Sequence, residues 1–67
     1  MKRMIVFKAR GGKRIAMSVA NIHRIYECDD PGVCEVIYEA YAKGEWVEQT
    51  IHVHGDFTTI VLQINMD

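Results

Sequence analysis

The chain has 67 residues, of which 49% are apolar and 25% charged, with a formal net charge of −1. Residues 1–67 read as a single small domain, because this length leaves no room for a second core and the composition excludes intrinsic disorder. No apolar run approaches the ~20 residues of a membrane-spanning helix, and two cysteines, Cys28 and Cys34, are too few for a disulfide framework.

A core this small supplies a net stability of only about 3–5 kcal/mol. Dimerisation, a metal or a disulfide would each supplement it. The opening MKRMIVFKAR begins with charge, but its apolar stretch is shorter than the about 7–15 residues of a secretory segment. A cytoplasmic location is therefore expected, with both thiols free.

RMIVFKA alternates and places Ile5, Phe7 and Ala9 on one face. Gly11 and Gly12 offer the positive φ of a tight turn, and KRIAMSV follows as a second strand with Ile15, Met17 and Val19 inward. A short turn near Asn21 leads into a third strand, HRIYEC. Asp29-Asp30-Pro31-Gly32 is a strong turn signal.

The fourth strand, VCEVIYEAY, sets Cys34, Val36, Tyr38 and Ala40 against Glu35, Ile37, Glu39 and Tyr41 on the other face. Gly44 closes a second hairpin, and WVEQTIHVH buries Val47, Ile51 and Val53. Gly55 then breaks the pattern. Asp56 suits an N-cap for FTTIVLQINM, where Phe57, Ile60, Val61 and Ile64 recur at helical spacing. The β-branched residues of that segment leave a sixth strand as the alternative.

The predicted fold class is α+β, mainly β: a five-stranded antiparallel meander, or a small barrel, with one C-terminal helix. Because every connection is short, neighbouring strands are expected to pair in chain order.

The pieces VFKARGGKRIAM, NIHRIYE, CEVIYEAYAKGEW and IHVHGDFTTIVLQI follow a known pattern: an apolar first strand, a glycine turn, a second strand, an "I..I.e" stretch, a hairpin and a short terminal helix. In this the chain resembles the small flagellar and prophage proteins of the FlbD type. The middle hairpin is longer here than in that pattern. The resemblance implies an accessory or assembly protein that works by contact, and it transfers no catalytic residues.

Charge is divided along the chain. Seven of the eight Lys and Arg residues lie at or before Arg24, and all nine acidic residues lie at or after Glu27. Lys8, Arg10, Lys13 and Arg14 gather at one end of the first hairpin, with Lys2 and Arg3 at the other. Such cations can displace the counterions of a phosphate backbone, which makes a small nucleic-acid-binding module one reading. A solvated hairpin or an acidic partner is the other, favoured by the acidic net charge and the lack of an aromatic series or a phosphate loop.

His52 and His54 share one face of a strand and are the candidates for a metal site. With no CxxC or HExxH spacing and few further ligands, a pair of surface histidines is the simpler expectation, and no cofactor is implied. Ser18 is the only serine and sits in no nucleophile elbow. Neither an enzyme nor a small-molecule substrate is expected.

The strongest feature is apolar. With Ile5, Phe7, Ile15, Met17, Val36, Val47, Ile51 and Val53 facing the helix, the opposite face still carries Met4, Val6, Ala16, Tyr26, Ile37, Tyr41 and Trp46 among charged residues. Aromatic and Met side chains among charges compose an interface. Trp46, Tyr41 and Ile37 are expected at its centre, with Tyr26, Met4 and Val6 around them. Barrel closure would bury some of this set instead. The expected function is a non-enzymatic interaction protein that forms a homo-oligomer through its sheet.

Overall fold

The computed structural model describes residues 3–66. Five strands and one helix follow in chain order: β1 (Met4–Ala9), β2 (Arg14–Ser18), a single 3₁₀ turn (Val19–Asn21), β3 (Ile22–Glu27), β4 (Val33–Ala42), β5 (Glu45–His54) and α1 (Phe57–Asn65). Alternation governs the burial of each strand. In β1, Ile5 and Phe7 are buried while Met4, Val6 and Lys8 are exposed. Cys34, Val36 and Val53 are fully enclosed where β4 meets β5, and Ile60 of α1 completes the core with Ile5, Phe7 and Met17.

All pairings are antiparallel, and the strands form one sheet in the order β2-β1-β5-β4-β3. The order departs from chain sequence at one step. β2 and β3 do not pair. Instead β1 pairs with β5 through Lys8↔His54 and Ala9↔Val53, and the Arg10 N–H donates to the His52 carbonyl at 2.9 Å. The 3₁₀ turn carries the chain from the end of β2 to the start of β3, which forms the other edge of the sheet.

That step dictates the shape. Four inter-strand spacings of about 4.8 Å would separate the edges of a flat sheet by ~19 Å, whereas a 3₁₀ turn advances about 2 Å per residue. Three turn residues, Val19–Asn21, join the two edges. The sheet must curl for them to reach, yet the edge strands remain unpaired, so it is not closed into a barrel.

The last segment is a helix rather than a sixth strand. Asp56 caps it, its carboxylate accepting the Thr59 N–H at 3.2 Å and the Thr59 hydroxyl at 3.3 Å. At the other end the Arg3 guanidinium donates to the carbonyls of Ile64, at 2.6 Å, and Gln63. Helix C-termini have unpaired carbonyls and favour a cation there. No helix among the described residues is long and apolar enough to cross a membrane.

Candidate functional site

The β4–β5 register fixes the outer face. Tyr41 stands opposite Trp46 at the far end of the hairpin, and Glu39 opposite Glu48, Ile37 opposite Thr50 and Glu35 opposite His52 follow along the ladder. A two-residue turn holds this end, with positive φ at both Lys43 and Gly44, as the twist of a tight hairpin requires. The rings of Tyr41 and Trp46 meet edge to face, their centroids 5.4 Å apart. Tyr41 is 63% and Trp46 56% exposed, so the aromatic pair is assembled but uncovered by its own chain.

Beside the pair runs an open groove of about 450 Å³. One wall is β2, through Ile15, Ala16, Met17 and Ser18. The other is the β4–β5 hairpin, through Tyr38, Ala40, Tyr41 and Trp46, with Met4, Asn21 and Glu39 completing the lining. The groove is the mouth left by a sheet that curls without closing.

The structure brings Trp46, Tyr41 and Met4 together around this groove. Ile37 lies on the same outer face, half-buried. Val6 and Met4 border a second hollow of about 400 Å³ with Gln63 and Met66 of the helix end. Tyr26 lies towards the opposite end of the sheet, opposite Glu35, and its hydroxyl accepts from Arg24 at 3.4 Å. Of the expected patch, Trp46, Tyr41, Met4 and Val6 fall on two surfaces joined at Met4, and Tyr26 lies apart from both.

A polar cluster divides the outer face. Glu39 and Glu48 are directly cross-strand, a destabilising arrangement for like charges. His23 lies between them, Nδ1 at 3.2 Å from Glu48 Oε2 and Nε2 at 3.6 Å from Glu39 Oε2. The register shift between Ile22 and Arg24 marks the bulge that puts His23 there.

The basic residues divide likewise. Arg10 is ion-paired with Asp30 at 3.0 Å, and Arg3 is spent on the helix C-terminus. Lys8 and Arg14 stand opposite each other across β1 and β2, beside Lys13 in the turn; no ion pair reaches these three among the described residues. Lys2 lies outside the described residues.

His52 and His54 are exposed on the outer face of β5, where His52 faces Glu35 and His54 faces Lys8. Cys34 lies on the buried face, and no group of three or more His, Cys, Asp or Glu among the described residues could hold a metal ion.

Both thiols are free, Cys28 half-buried and Cys34 fully buried. The Cys34 thiol donates to the Gly55 carbonyl at 3.4 Å. Burial pushes this thiol above its ordinary range, with smaller contributions from Cys28, Glu27 and Asp56, which disfavours the thiolate that nucleophilic chemistry needs.

Sequence reasoning identified the exposed aromatics from their alternation with glutamates. It missed the groove and the contributions of Ser18 and Tyr38, which depend on the curl of the sheet. Compared with protein-family models, with curated proteins and with solved structures, the chain finds no significant match in any of the three.

Proposed function

We propose that this chain is a non-enzymatic interaction protein of the bacterial or phage accessory kind, working in the cytoplasm and self-associating through its sheet. The observation that carries this reading is the uncovered Tyr41–Trp46 pair beside an apolar groove. Large aromatic side chains held rigidly at a groove are the anchors of protein interfaces, because little conformational entropy remains to be lost when they are covered. Met4, 56% exposed, extends the apolar surface around them, and Val6, 60% exposed, continues it into the second hollow.

The groove itself favours contact over catalysis. The hydroxyls that line it, of Ser18, Tyr38 and Tyr41, share it with no histidine, and the enclosed Cys34 thiol donates a hydrogen bond to a backbone carbonyl. Replacing Trp46 with Glu is expected to lower the oligomer mass seen by light scattering while the far-ultraviolet circular dichroism stays unchanged. A wild-type chain that is monomeric at tens of micromolar would refute the reading.

A second reading, a small nucleic-acid-binding module, rests on Lys8, Lys13 and Arg14, the cations of the first hairpin left without an acidic partner among the described residues. Arg3 and Arg10 contribute less to it, since each already has a partner within the fold.

A further inference from the structure

The sheet has two edges, β2 and β3, and they are unequally protected. β3 is bulged between Ile22 and Arg24 and carries His23, Arg24 and Glu27. Bulges and charges of this kind discourage a second strand from pairing. β2 is regular, with Arg14 its single charge.

Two backbone bonds establish which groups of β2 are unpaired. The Ala9 N–H donates to the Lys13 carbonyl at 2.7 Å, and the Val19 N–H donates to the Arg3 carbonyl at 2.9 Å. Hydrogen-bonded and non-bonded pairs alternate along an antiparallel ladder. Between those two bonds the register runs Phe7↔Ile15 and Ile5↔Met17, so Ile15 and Met17 turn their backbone groups towards β1. Arg14, Ala16 and Ser18 turn theirs to the open side, along the groove that Tyr41 and Trp46 border.

Resting on the self-association reading above, we propose that two copies of the chain join along β2, antiparallel, about a twofold axis at Ala16. The free groups of Ala16 then exchange bonds with those of the second copy's Ala16, and Arg14 exchanges with the second copy's Ser18. A second copy suits this edge because the strand is self-complementary. Its lone charge falls opposite a hydroxyl rather than another cation, and each Arg14 is brought to the other copy's groove, which Ser18 and Glu39 line. On the core side, Ile15 of one copy meets Met17 of the other, which continues the apolar layer across the seam. The interface is isologous and closes after two subunits.

Ala16→Pro tests the seam. It removes an N–H from the open side and none from the ladder to β1, and proline is tolerated at an edge strand in that orientation. The expected result is a dimer dissociation constant raised about tenfold or more in sedimentation equilibrium, with circular dichroism unchanged. Wild-type dimers matched in affinity by the variant would overturn the β2 seam and leave self-association standing; a monomeric wild type would overturn both.

Two measurements do not depend on how the proline variant folds. Arg14→Glu is expected to weaken the dimer, and adding Glu39→Lys to restore it. In wild-type protein, amide exchange at Ala16 and Ser18 is expected to slow as concentration rises through the dimer range. Exchange that stays constant while the mass doubles, or a charge swap that restores nothing, would count against the pairing.

Discussion

Gly55 sits at the corner where β5 gives way to α1, with φ at 151°. A methyl group built there would lie 2.7 Å from the δ-carbon of Ile60, the helix residue that completes the core. The Gly55 N–H donates to the Gly32 carbonyl at 2.8 Å, and its own carbonyl accepts a hydrogen bond from the Cys34 thiol. The corner cannot swing outward to relieve a clash without breaking one of these bonds. Gly55→Ala is therefore expected to destabilise the fold by about 1–3 kcal/mol, read as a lowered urea midpoint at unchanged slope. A midpoint equal to wild type would mean that Ile60 finds another rotamer without cost.

At the scale of the element, α1 is the least self-sufficient part of the molecule. Its residues Thr58, Thr59, Ile60, Val61 and Ile64 are β-branched, and isolated helices of this length are marginal even with better formers. It holds because both ends are tied, by Asp56 at the start and Arg3 at the finish, and because Ile60 enters the core with Phe57 and Ile64 packed against it. Asp56→Ala is expected to cost about 0.5–2 kcal/mol, measurable by thermal or chemical denaturation.

The start of this helix was legible, since Gly55, Asp56 and the spacing of Phe57, Ile60 and Ile64 are local signals. Its C-terminal tie was not, because Arg3 lies 61 residues before Ile64 and nothing near either residue announces the other. The strands divide in the same way. Alternation and turn residues define the five segments and the β1–β2, β3–β4 and β4–β5 pairings, while the β1–β5 pairing joins segments that meet only after the sheet curls. The exposure of Tyr41 and Trp46 followed from their period with Glu39 and Glu48; the groove beside them did not, because its far wall is β2.

For the whole molecule, the split of charge along the chain is bridged at one point among the described residues, the Arg10–Asp30 ion pair. His23 separates Glu39 from Glu48. In the first hairpin, Lys8, Lys13 and Arg14 keep no acidic partner among the described residues. Retention on single- or double-stranded nucleic acid at low salt, lost steeply as salt rises and weakened by Lys13→Glu with Arg14→Glu, is the outcome expected of the nucleic-acid reading. No retention at the lowest salt tested would remove that reading and leave the contact function alone.

The junction of β1 with β5 also bears on how the chain is made. A nascent polypeptide leaving the ribosome can form the β1–β2 hairpin at once, but one flank of β1 stays bare until residues 52–54 have emerged. Pairings between distant segments form late and slowly. Until then the backbone groups of residues 8–10 on that flank have no strand beside them and lie open to a neighbouring nascent chain.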